Sequence, residues 1–300
     1  MKQVVKLKPC VKSYIWGGHF FQRFGKSDLD IVSELWELSV RGINSSIIAS
    51  GEDAGKRLDE VIADEDVGPI QKKFPYFPLL VKLIDAKENL SVQVHPSDEY
   101  ALKNENSFGK MEMWYVISKD EGSGLYVGFN KDYSLEEIES KLKSNSILEC
   151  LNFFPVQEGD VFIIKPGTVH AIGAGVRIME IQQNSDLTYR LYDYLRKDKN
   201  GNYRELHIDK ALNVIDTKKY EKTVNNSYLL ADTPFFKVNK MDVDGKIELI
   251  ANGDSFITFT FLSGKGNVND IEYKEFDTFF LPYGKKCEIV GKGTLVVSKL

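Results

Sequence analysis

The sequence predicts a mostly β protein, a sandwich or barrel with a few helices, followed by a smaller β-domain. Three observations carry that expectation. Short strand-like segments such as "PLLVKLID", "EMWYVIS", "GDVFIIKPG" and "VRIMEIQQ" recur between Gly, Pro, Asn and Asp, the pattern of many strands joined by turns. Helical periodicity is confined to a few places. After a polar, charged stretch at 216–228, "DTKKYEKTVNNSY", nearly every segment is strand-like.

Taken in order, the first helical pattern is "DAGKRLDEVIADE" (53–65), with Leu58, Val61 and Ile62 at helical spacing. The second is "SLEEIESKLKSNSILECL" (134–151). It opens on a capping box, Ser134 with Glu137, and repeats apolar residues at Leu135, Ile138 and Leu142. A shorter candidate is "HIDKALNVI" (207–215). These readings divide the chain into residues 1–220, a β-domain with helical insertions at about 53–65 and 134–151, and residues 221–300, a smaller β-domain. The histidines are His19, His95, His170 and His207, so any histidine metal site belongs to the first part.

Composition narrows the function. The chain has 300 residues, 42% of them hydrophobic, and a net charge of −5 from 39 basic and 44 acidic side chains. A nucleic-acid-binding surface ordinarily carries a basic excess, so that class is not expected. A small anionic substrate held by a few local cations remains open. Cys10, Cys150 and Cys287 form no CxxC pair, which favours a reducing compartment over a disulfide framework. No segment approaches 18 apolar residues, since Lys82 interrupts "YFPLLVKLI". The expectation is a soluble cytoplasmic protein with no membrane partner.

"SVQVHPSDEY" (91–100) sets Gln93 and His95 on one face of a short strand, because strand side chains alternate. Pro96 ends the pairing, and Ser97 reads as an N-cap followed by acid in the first turn. "GKMEMWYVIS" puts Glu112 on the same strand face as Trp114 and Val116, a costly place for a carboxylate without compensation. In "GDVFIIKPGTVHAIG", an apolar strand, a Lys-Pro-Gly-Thr turn and a returning strand set His170 just past an expected hairpin. Two imidazoles, a carboxylate and an amide oxygen suit zinc with open positions for substrate. Each residue also has a plainer reading: a hydrogen-bonded core histidine, a Glu112–Lys110 ion pair, a Gln93 capping a loop. Lys110 lies two residues before Glu112 on the same face, and Arg190 follows Asp186 by four in "SDLTYRLYDY". Most Lys and Arg are solvated surface charges.

Together these stretches resemble the class I, zinc-dependent mannose-6-phosphate isomerases in their short bacterial form. The resembling pieces are "SYIWGG", "SELWELS", "PLLVKLIDAKENLSVQVHPSDEYA", "GKMEMWYVI", "FIIKPGTVHAIG" and "EIQQNSDLTYRLYDY", in family order over about two thirds of the chain. The resemblance implies a cupin, a double-sheet jelly roll, followed by a second cupin-like domain without metal ligands. It implies one zinc per chain on Gln93, His95, Glu112 and His170, and places Lys110 and Arg190 in the substrate cavity. Asp186 carries over less directly, as a third catalytic candidate. Trp114, sharing a face with Glu112, is expected to wall the cavity. The implied reaction interconverts mannose 6-phosphate and fructose 6-phosphate through a cis-enediol, so the partner is a sugar phosphate. The rivals are another metal-dependent cupin enzyme, such as an oxygenase, and a non-catalytic sugar-binding cupin. Departure from the common cupin H-x-H pattern, with Gln93 in the first place, counts against the oxygenase. Oligomeric state does not follow from the sequence.

Overall fold

The computed structural model describes residues 1–198, 200–222 and 228–300. Its strands form three sheets. One has six strands in the order Val161–Ile164, Glu112–Lys119, Val176–Gln183, Leu79–Ala86, Glu34–Leu38 and Cys10–Lys12. Another has five, in the order Tyr189–Tyr192, Val92–Val94, His170–Ile172, Gly124–Phe129 and Leu151–Pro155. The two share a core that includes Trp114, Val116, Leu125, Val127, Phe162 and Ile172, and so make the expected double-sheet jelly roll.

Alternation sorts the six-stranded sheet into two buried faces. Trp114 and Val116 point into the jelly roll, whereas Met113, Tyr115 and Ile117 pack into a second core with Leu7, Phe236, Phe280 and Val296. Burial on both faces is why "EMWYVIS" and "PLLVKLID" read as nearly continuous apolar runs. That second core joins the sheet to an eight-stranded one built mainly from strands beyond Leu229. The eight-stranded sheet also takes Val5–Lys8, paired with Thr278–Leu281, and Ile47–Ile48. Its strands therefore come from both ends of the chain. The polar stretch at 216–228 lies partly outside the described residues. No described helix is long and apolar enough to cross a membrane.

The outer face of the five-stranded sheet is covered by helices Leu135–Lys143 and Ile208–Leu212, through Ile138, Leu142 and Ala211 against Val94, Ala171 and Tyr189. The capping box forms as expected: Glu137 N donates to Ser134 Oγ at 3.2 Å, and Ser134 N donates to the Glu137 carboxylate at 2.8 Å. Ser97 caps Asp98–Glu105.

Three expectations change. The helix expected over 134–151 stops at Lys143, and a 3-10 turn at Ile147–Cys150 leads into the strand from Leu151. Residues 53–65 do not form a continuous helix; Leu58–Glu60 is a 3-10 turn and Asp64–Val67 a single helical turn. Gly55 sits at φ +93°, and Leu58 N donates to Ser46 O, just ahead of strand Ile47–Ile48, so Leu58 is tied to that neighbour rather than to its own preceding turn. The apolar spacing is met by packing alone, with Leu58, Val61 and Ile62 on one core. The "KPGT" segment is likewise no hairpin. Val161–Ile164 pairs within the six-stranded sheet and His170–Ile172 within the five-stranded one. The turn, made at Gly167 (φ +86°), carries the chain across the edge from one sheet to the other.

Candidate active site

The crossing turn brings His170 directly opposite Gln93 in the five-stranded sheet, and Glu112 approaches from the six-stranded sheet. His95, Glu112 and His170 are all buried, with ligand-capable atoms within 4.8 Å of one another. The orientation of the two imidazoles is fixed from behind. His95 Nδ1 lies 2.8 Å from Leu187 O, and His170 Nδ1 lies 2.8 Å from Thr168 O. A carbonyl only accepts, so each Nδ1 carries the proton and each Nε2 presents a lone pair. Those Nε2 atoms lie 3.6 and 3.3 Å from the Glu112 carboxylate.

Burial, helped by Lys110, keeps both rings neutral: His95 is pushed well below its ordinary value and His170 down to about 4. Burial and the neighbouring Glu180 raise Glu112 to about 7, against the pull of Lys110. Among the described residues, neither Glu112 oxygen makes a well-directed hydrogen bond. Two imidazole lone pairs and a buried carboxylate form a nest of acceptors suited to a cation. Lys110 meets part of that need, its Nζ 2.6 Å from Glu112 Oε2 and 3.1 Å from His95 Nε2. Gln93 Nε2 stands 3.3 Å from His170 Nε2; a half-turn of the amide presents Oε1 there instead. This donor set fits a divalent metal ion with a taste for nitrogen and oxygen.

Beside the cluster opens a cavity of about 160 Å³, lined among others by Lys82, Lys110, Glu180, Asp186, Arg190 and Arg204. Lys110, Arg190 and Asp186 thus line one cavity. Arg190 is paired in register with Gln93 and forms no ion pair among the described residues; its Nε is buried without a hydrogen-bond partner. Asp186 is mostly exposed and held by Arg41 at 2.7 Å. Trp114 does not line the cavity. It is fully buried behind it, edge-on to His170, with its indole N–H donating to Glu180 at 3.0 Å.

Sequence reasoning passed over Lys82 and Glu180. They face each other directly across neighbouring strands, and Glu180 in turn faces Trp114. Lys82 Nζ donates to Glu180 at 2.9 Å, and Lys110 stands 4.0 Å from the same carboxylate. Burial favours the neutral acid, but Lys110 and Lys82 outweigh it and bring Glu180 down to about 2. Burial likewise opposes the Lys82 charge, yet Glu180 and Glu34 raise it above its ordinary value. The available signal was an isolated charge inside each apolar strand, Lys82 in "PLLVKLI" and Glu180 in "RIMEIQQ".

The model of the phosphomannose isomerase type I catalytic domain matches residues 4–119. A mannose-6-phosphate isomerase of Streptococcus mutans is 34% identical over 278 residues, 89% of this chain and 87% of that protein. The chain belongs to the type I phosphomannose isomerase family. The isomerase ManA of Bacillus subtilis is 35% identical over 98% of both chains. The crystal structure of the mannose 6-phosphate isomerase from Bacillus subtilis superposes with a TM-score of 0.90 at 33% identity, covering 100% of each chain. A putative mannosephosphate isomerase from Archaeoglobus fulgidus gives 0.84 at 26% identity, over 100% of this chain and 98% of that one. The jelly roll is therefore a type I phosphomannose isomerase cupin, and the histidine–carboxylate cluster lies within it.

Proposed function

We propose that the protein interconverts mannose 6-phosphate and fructose 6-phosphate, with one zinc ion held by Gln93, His95, Glu112 and His170. The observation that carries the reading is the acceptor nest of His95, Glu112 and His170 beside a cavity lined by Lys82, Lys110, Arg190 and Arg204. Two imidazoles with their Nδ1–H groups anchored, one carboxylate and one amide suit zinc over metals that prefer all-oxygen sites. When bound, the metal supplies Lewis-acid polarisation of the sugar oxygens.

The reaction moves a proton between C2 and C1 by way of a cis-enediol. His95 has both ring nitrogens engaged, and Asp186 is solvated and tied to Arg41. Lys110 and Glu180, 4.0 Å apart, both line the cavity. Lys110 is assigned to the sugar oxygens, and Glu180, its two oxygens held by Lys82 and Trp114, to positioning that ammonium. Arg190, lacking a carboxylate of its own, stabilises the negative charge that grows on those oxygens. Lys82 holds Glu180 in its charged form and in place. The free cysteines Cys10, Cys150 and Cys287 support a reducing, cytoplasmic setting.

A coupled assay for fructose 6-phosphate, run in D₂O, tests the reaction. Turnover with deuterium entering the product from solvent is expected. Oxygen consumption with no ketose formed would transfer the site to the oxygenase reading.

A further inference from the structure

The cavity wall holds more positive charge than its own carboxylates neutralise, and the surplus has a location. Four lining residues are cations, Lys82, Lys110, Arg190 and Arg204, and three are acids, Glu34, Glu180 and Asp186. Lys82 is matched by Glu180 at 2.9 Å and Glu34 at 3.9 Å, and Lys110 by Glu112 at 2.6 Å. Asp186 is taken by Arg41. Two guanidinium groups remain. Arg190 has no ion pair among the described residues, and Arg204 has only a loose one, 3.5 Å from Asp193 Oδ1, an oxygen already held at 2.5 Å by Arg196. Like charges set side by side in a partly buried wall cost free energy unless an anion enters between them.

Position separates the pair. Arg190 is in register with Gln93, at the histidine end. Arg204 follows the end of that strand, on the segment leading to helix Ile208–Leu212. It shares the cavity wall with Tyr14, and the two are close enough to shift each other's ionisation. The motif "SYIWGG" accounts for Tyr14. Its ring stacks on Trp16 at 5.6 Å, and its backbone N–H donates to Ser33 Oγ at 2.6 Å. A Cβ on Gly17 or Gly18 would sit 2.3 Å from Ser33 Oγ or from Asp85 Oδ2 respectively, so both glycines let the motif lie flat on the strand beneath. The Tyr14 hydroxyl hydrogen-bonds no protein atom among the described residues.

We propose that Arg204, with the Tyr14 hydroxyl beside it, binds the phosphate of the substrate and selects phosphorylated over free sugar. The assignment rests on the sugar-phosphate isomerase reading of the same cavity and adds which residues read the phosphate. A dianion at Arg204 leaves the sugar's C1–C2 end toward Gln93 and Arg190, and it settles the charge surplus of the wall. A guanidinium is suited to this, because its forked donors match phosphate oxygens in pairs.

The test uses the full chain, metal-loaded, with Arg204→Gln, Arg204→Lys and Tyr14→Phe. For Arg204→Gln, KM for mannose 6-phosphate and Ki for inorganic phosphate are both expected to rise roughly 10- to 100-fold, as for loss of a hydrogen-bonded charge, with kcat little changed. Turnover of unphosphorylated mannose should be unaffected, so the selectivity ratio falls by the same factor. Arg204→Lys should recover part of the loss, and Tyr14→Phe should show a smaller rise. Unchanged KM and Ki in Arg204→Gln would overturn the assignment, as would an equal loss with free mannose. Thermal-shift titration with inorganic phosphate reads the same site without turnover. A wild-type enzyme inert toward mannose 6-phosphate would defeat the isomerase reading, while the phosphate titration would still decide for or against Arg204. Metal content and near-UV circular dichroism identify a variant that has lost its fold. In that event the charge-preserving Arg204→Lys carries the decision: a KM and Ki unchanged from wild type in it, with wild-type selectivity, would count against the proposal, and a shared rise in both would support it.

Discussion

At the scale of single residues, charge placed where water is scarce is the main theme. His95→Ala and His170→Ala should each strip the metal, read by elemental analysis; full occupancy in both would end the ligand assignment. Lys82→Met leaves Glu180 buried without its 2.9 Å partner. Removing one member of such a pair costs about 3–5 kcal/mol, so urea unfolding should show a loss of that size. Lys82→Met with Glu180→Leu should recover most of that stability and none of the activity. The contrast between Glu112 and Glu180 shows where sequence reading works. Glu112 stood out because it had named partners in Gln93 and His95 to converge with. Glu180 did not, because its partner Lys82 is 98 positions away and the pairing exists only once two strands are in register. The same limit misplaced Trp114: alternation assigned its face correctly, yet depth along that face depends on the opposite sheet. Its hydrogen bond to Glu180 makes it a prop for the carboxylate instead of a wall of the cavity.

At the scale of elements, local signals held where the element satisfies its own backbone and failed where a neighbour does. The Ser134–Glu137 box closes within one turn, so the helix beginning at Leu135 was legible. Ser134→Ala should cost about 1 kcal/mol of stability and leave kcat/KM unchanged, since this helix covers the outer face of the five-stranded sheet. The 53–65 pattern had the same apolar spacing, but the N–H groups of Gly55 and Leu58 go to Ile48 O and Ser46 O on a neighbouring segment, which breaks any continuous helix there. The loop ahead of Glu112 is set by a close approach. A Cβ on Gly109 would stand 2.4 Å from Asp98 N and 2.5 Å from Ser97 C, both backbone. Gly109→Ala must therefore displace Lys110. A misplacement near 1 Å can cost roughly 100-fold in rate, so kcat/KM should fall steeply while metal content stays near wild type. Wild-type kinetics in this variant would mean that Lys110 does not need its present position.

At the scale of the whole molecule, the two-part division read from the sequence meets a sheet that draws strands from both ends of the chain. Val5–Lys8 lies against Thr278–Leu281, and the shared core runs from Leu7 through Val81 and Met113 to Phe280 and Val296. We propose that the C-terminal strands serve to cover the outer face of the jelly roll. A chain ending at residue 225 should accordingly be insoluble or inactive, and normal turnover by that truncation would refute the covering role. Composition could announce β-structure after 229 but not that an N-terminal strand completes it, because strand pairing at that separation leaves no local trace. The central claim, that the buried His95–Glu112–His170 nest is a zinc site on which isomerisation depends, has one direct test. Protein stripped with a chelator is titrated with zinc while fructose 6-phosphate formation from mannose 6-phosphate is followed. Activity should start near zero, rise in proportion to added zinc, and stop rising at one equivalent per chain. Undiminished activity in the stripped protein, or full metal loading with no turnover, would contradict the account.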